Sequence, residues 1–212
     1  MENFMGDFVE FRSEFYDVFN KNISNIKKLT QISIDDDDTA KVMNRLLYAN
    51  IITAMETYLS DALIDTTFSS GELINNFSNS NEETVKRKIS IYDALKGEKY
   101  ILAIVNEDMR NILYHNIPKV KKIYKFTLDI DFHQEAEKLM KFVDVRHDIV
   151  HRNGKNKEKK EIEISKEDID DVINKVVEFI TDLDSKLTFI VTNKSEEEIM
   201  ESKTKQVEKV KG

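Results

Sequence analysis

From Thr39 to Phe68 apolar residues return at Val42, Leu46, Ala49, Ile52, Met55, Leu59 and Leu63, in steps of three and four that lay one stripe along an α-helix. This is the longest and most regular run in the chain, and it predicts a central core helix on which the other elements pack. One proline and five glycines in 212 residues leave few breaks, so long helices are favoured over a turn-rich β fold. The expected fold class is all-α.

The other segments read as helices around that centre. Phe4, Phe8, Phe11, Phe15 and Phe19 recur at steps of four and three and predict an aromatic N-terminal helix, residues 1–30, packed on the core. Asp35 to Asp38 can cap the central helix and favour its positive end. A calcium loop would need alternating ligands, a glycine and a distal Glu that are absent here. Asn75 to Asn81, rich in Asn and Ser, reads as a loop, with shorter helical patterns at Val85 to Leu95 and Lys99 to Tyr114. Asn116 and Pro118 mark a break. Asp131 is placed to cap a helix through Ala136, Leu139, Met140, Val143 and Val145 that stops at Asn153-Gly154.

Ile162 and Ile164 predict a short extended piece, and Ser165 with Asp168 forms a capping-box pattern. The helix that follows carries Ile169, Val172, Ile173, Val176, Phe179, Ile180, Leu183 and Leu187 on one face, which should pack against the central helix. Residues 39–190 therefore form the main helical domain. Residues 193–212, dominated by Lys, Glu and Ser, read as a frayed helix or disordered tail.

Composition narrows the function. The absence of cysteine excludes disulfides, thiolate zinc sites and a cysteine nucleophile, and fits a cytoplasmic protein. Glu2, Asp7, Glu10, Arg12 and Glu14 interrupt the aromatic start, so neither a signal peptide nor a membrane span is expected there. A net charge of −8 argues against broad adhesion to nucleic acid, although a local basic patch can still bind RNA.

The chemistry concentrates in Arg146-His147-Asp148-Ile149-Val150-His151-Arg152-Asn153-Gly154, which holds two of the four histidines. Arginine is a permanent planar cation that matches phosphate oxygens, and histidine exchanges its proton near neutral pH. His147 and His151, four apart, share a helix face and invite a metal reading. Zinc-protease helices require a Glu directly after the first His, and Asp148 stands there instead; His115 and His133 are only speculative third ligands. The other reading takes Arg146 and His151 as the working pair. Five residues separate them by roughly 140° around an ideal helix, so a shared site needs a long reach, an unwound helix end, or a second copy of the helix across a two-fold axis. A bland reading has Arg146 paired with an acid and His151 filling the last turn. Arg152, Lys155 and Lys157, with Lys159 and Lys160, follow directly; the run suits phosphate steering as well as a solvated loop.

Arg-x4-His followed by a polar, glycine-containing loop, at the end of a late helix in a small all-α chain, resembles the HEPN superfamily signature. RHDIVHRNG, with AMETYLSDAL and the ISKEDIDDVINKVVEFI helix, is similar to the RiboL-PSP type of HEPN domain, over about Val42 to Leu187. The resemblance implies an up-and-down helical bundle, here with an extra N-terminal helix and a charged C-terminal tail, that dimerises through its motif helices. In active members it cleaves RNA without a metal or other cofactor. Carried onto this chain, it implies His151 as general acid or base and Arg146 as the phosphate-binding cation. His147 and Asp148 would orient or hydrogen-bond, and Glu56 would pair with Arg146. Asn153 stands where some toxin members carry a tyrosine that a partner nucleotidyltransferase modifies, so silencing by that route is not expected. The implied role is a toxin or antiphage-defence ribonuclease with an antitoxin or defence-system partner. The alternative is a non-catalytic module that binds RNA, a nucleotide or a partner protein.

Overall fold

A computed structural model describes residues 12–210 except 134, 135 and 137, with side chains through 192. Phe4, Phe8 and Phe11 of the aromatic stripe lie outside the described residues. Nine helices are present among them: α1 (Glu14–Thr30), α2 (Asp37–Phe68), α3 (Gly71–Ser80), α4 (Glu82–Lys86), α5 (Ile91–Ala94), α6 (Glu98–Arg110), α7 (Ile117–Leu128), α8 (Leu139–His151) and α9 (Lys166–Val210). An isolated antiparallel bridge joins Lys155 to Glu161, and none of the described residues lies in a strand. No described helix is long and apolar enough to cross a membrane.

α2 is the centre. Its Asp36 N-cap accepts a hydrogen bond from the Thr39 backbone at 2.7 Å, supplying one of the acceptors that the first turn lacks. Ile51, Ile52, Met55, Leu59 and Leu63 are fully buried, and α1, α3, α6, α7, α8 and α9 all pack against this helix. The predicted stripe does not hold along its whole length. Val42 and Leu46 are about half exposed, because no described helix covers that side of the first turns.

α9 presents the whole predicted face, Ile169 through Leu187, to the core. The Ser165 and Asp168 box forms in both directions, Ser165 N donating to Asp168 Oδ2 at 2.8 Å and Asp168 N donating to Ser165 Oγ at 3.1 Å. Asn44 donates to the Ile164 carbonyl and Tyr58 to Asp184, so α2 and α9 run in the same direction. Arg146 lies against Glu56 and Gly154 against Arg45, so α8 runs the opposite way. The backbone of α9 is helical through Val210.

Three local expectations are corrected. Asn75 to Asn81 is not a loop: all but its last residue belong to α3, where Ser70 caps the start and Leu73 and Phe77 are buried. The weak helix propensity of Asn and Ser is overridden by packing against α7 and α2. Phe77→Ala should therefore cost about 3 kcal/mol or more, read as a lowered urea midpoint. The Val85 to Leu95 pattern breaks into α4 and α5, leaving Ile91, Tyr92 and Leu95 exposed. Asp131 caps none of the described helices; it pairs with Lys125 at 2.7 Å, and α8 starts after Lys138 without a side-chain cap. Pro118 sits in the first turn of α7, where its missing N–H costs nothing, and Asn116 caps that helix.

Candidate active site

The Arg146 to His151 stretch forms the last turns of α8, and its side chains divide by helical angle. Ile149 is buried against the core. Arg146 turns toward α2, where its Nη2 lies 3.8 Å from Glu56 Oε2, both side chains about one-fifth exposed. That separation is an ion pair without a hydrogen bond. Glu56 Oε1 and Arg146 Nε are both buried with no hydrogen-bond partner, so the pair holds the guanidinium while leaving part of its donor fork unused.

His147 and His151 face outward, one turn apart, with ring centroids 4.6 Å apart. Arg146 and His151 thus point to different sides of α8, as their five-residue spacing requires. Asp148 reaches forward to Arg152 in an i,i+4 pair rather than back to Arg146. Arg152 is therefore partly neutralised by its own helix. Among the described residues no group of three or more His, Cys, Asp or Glu side chains could hold a metal ion.

The helix stops by backbone geometry. Asn153 and Gly154 both adopt positive φ, 52° and 73°, and Gly154 N donates to the Ile149 carbonyl at 3.1 Å, a C-terminal cap of the left-handed type. A tight turn follows in which Asn156 Oδ1 accepts from the backbone N–H groups of Glu158 and Lys160. Ile162 N returns to the Gly154 carbonyl at 2.8 Å. Lys155 and Lys157 stand exposed on this ordered turn.

Arg45 is a cation that the sequence reading missed. Its side chain lies against Gly154, 3.0 Å from where a Cβ would stand. It occupies the face of α2 that also carries Glu56, eleven residues or three helical turns further on; that spacing was the available signal. Gly154→Ala should cost about 1–2 kcal/mol from the left-handed backbone alone, besides displacing Arg45. Denaturation midpoints of the two proteins would measure it.

The sequence model of the RiboL-PSP-HEPN family matches residues 13–188. The chain belongs to that family. No curated protein and no solved structure matches it. The RiboL-PSP-HEPN segment begins at residue 13 and so includes α1, extending beyond the Val42 to Leu187 likeness read from the motifs. Within this HEPN domain the Arg146 to His151 stretch sits at the end of α8, backed by α2.

Proposed function

We propose that this HEPN protein is a metal-independent endoribonuclease of the toxin or antiphage-defence kind, acting in the cytoplasm as a homodimer joined through α8. The observation that carries the reading is the Glu56–Arg146 pair, which fixes a cation with unused donors at the same end of α8 as two exposed imidazoles. A cation held this way binds a phosphate without having to be ordered first.

The reaction balances without an outside reagent. A base removes the proton of a ribose 2′-hydroxyl, the 2′-oxygen attacks the adjacent phosphorus, and the bond from phosphorus to the 5′-oxygen breaks. An acid protonates that leaving oxygen, and the products are a 2′,3′-cyclic phosphate and a 5′-hydroxyl. His151 serves as acid or base, and Arg146 neutralises the charge that builds on the phosphate. His147 lies against His151 and orients it. Lys155 and Lys157 steer the backbone; Arg152 contributes less because Asp148 holds it.

The dimer answers the helical-angle problem, since a second α8 across a two-fold axis brings the partner's outward histidines toward this chain's Arg146. Half-exposed Val42 and Leu46 on α2 and Val150 on α8 lie at the same end of the bundle, and they provide the apolar surface such a contact needs. An antitoxin or another defence protein would restrain the activity. The test is incubation of the purified protein with RNA in chelator, with the product ends identified and the oligomeric state measured in parallel. Cyclic phosphate and 5′-hydroxyl ends are expected. Intact RNA in the presence of a folded dimer would favour a non-catalytic binding module.

A further inference from the structure

An open cleft of about 330 Å³ adjoins the Glu56–Arg146 pair and runs between α2 and the turn that follows α6. Glu56 lines it from one end. Ser60 and Asp61 continue along α2, and Leu113, Tyr114 and His115 form the opposite wall. The cleft is therefore in contact with the side chain that holds Arg146, yet none of its lining residues is a lysine or arginine.

That charge distribution sorts the parts of a nucleotide. Two carboxylates repel a phosphate, so the phosphate stays on the Arg146 side. A base is uncharged, and its flat face suits the exposed Leu113 side chain. Tyr114 is buried and donates its hydroxyl to the Met109 carbonyl at 2.9 Å; burial pushes its phenol up to about 12, so it stays protonated and keeps that wall in place. An ionised carboxylate only accepts hydrogen bonds. Asp61 is exposed; partial burial raises its carboxyl above the usual range, nearby Arg110 opposes that rise and Asp65 adds to it.

Among the four RNA bases, guanine alone presents two adjacent donors on its Watson–Crick edge, the ring N1–H and the 2-amino group, which match both oxygens of one carboxylate. Adenine and cytosine set an acceptor nitrogen beside their amino group, and uracil flanks its single N–H with two carbonyls. Each of these three would press an acceptor against Asp61. His115 adds a ring N–H suited to the guanine 6-carbonyl. We propose that the cleft beside Glu56 is a base-recognition subsite that selects guanine in a nucleotide adjoining the cleaved phosphate, with Asp61 as the specificity-determining residue and His115 as its second contact. This rests on the ribonuclease reading for its placement next to a scissile bond.

The test separates the two ideas by measuring binding without cleavage. Fluorescently labelled 2′-fluoro oligonucleotides of uridine, with one central G, A, C or U, cannot undergo 2′-hydroxyl attack. Wild type should bind the G oligonucleotide about ten-fold more tightly than the other three, and Asp61→Asn should bring all four within about two-fold. His115→Ala should weaken the G preference in part, and circular dichroism checks that both variants are folded. Equal binding of all four by wild type, no binding of any, or a G preference that survives both substitutions would overturn the proposal. Cleavage of RNA with no preference for G beside the cut would also overturn it while leaving the ribonuclease reading intact. G-selective binding lost in Asp61→Asn, with no cleavage of ordinary RNA, would uphold the subsite and remove the nuclease.

Discussion

His151→Ala should lower RNA cleavage by roughly 10²- to 10⁴-fold, the usual contribution of a positioned acid or base, while leaving the melting temperature almost unchanged. The imidazole is exposed on the last turn of α8 and contacts His147, so its removal opens no cavity. Arg146→Ala should lose as much activity but is a less clean test. It strands Glu56, whose Oε1 is already buried without a partner, and an unpaired, partly buried carboxylate adds about 1–3 kcal/mol of instability. Combining Arg146→Ala with Glu56→Gln should recover most of that stability and none of the cleavage. Initial rates and urea midpoints for the four proteins distinguish the roles. Wild-type rates in His151→Ala would eliminate it as the acid or base.

Asp184→Ala should be among the most destabilising single changes, at about 3 kcal/mol or more. This carboxylate is fully buried in α9 and gathers the start of α1 and the middle of α2 onto one point. Ser13 donates to it from both its hydroxyl and its backbone N–H, the latter at 3.2 Å, and Tyr58 donates at 2.9 Å. Arg12 supplies a compensating charge 4.0 Å away. Alanine would leave the buried Tyr58 hydroxyl and the Ser13 donors without their acceptor at once, and such networks lose more than one bond's worth when broken. Asp184→Asn keeps the shape and one acceptor, so it should fall between wild type and alanine. Chemical denaturation measures the series. A loss below about 1 kcal/mol for the alanine variant would mean that water satisfies these donors.

Much of the fold was legible because its signals are local. The apolar period of α2 from Ala49 onward, the full buried face of α9, the Ser165 and Asp168 box, and the break at Asn116 and Pro118 each depend on residues within a few turns of one another. So does the stop at Asn153-Gly154, where both residues take the left-handed conformation that ends α8. The Arg-x4-His stretch and its place at a helix end were readable for the same reason, as was the family that its wording resembles.

What needed the tertiary structure was every feature that depends on which surface faces which. α3 is helical because Leu73 and Phe77 find a buried site against α7 and α2, not because Asn and Ser favour it. Val42 and Leu46 continue the α2 period yet remain exposed, since periodicity fixes a face of a helix and not how far along it a neighbour reaches. Ninety residues separate Glu56 from Arg146, and 126 separate Tyr58 from Asp184. Bringing partners together over such distances is set by the relative register of α2, α8 and α9. Helical angle, which sequence does encode, turns Arg146 inward and His151 outward; the family resemblance offered Glu56 as the partner of Arg146, and packing of α8 on α2 is what brings the two within 3.8 Å.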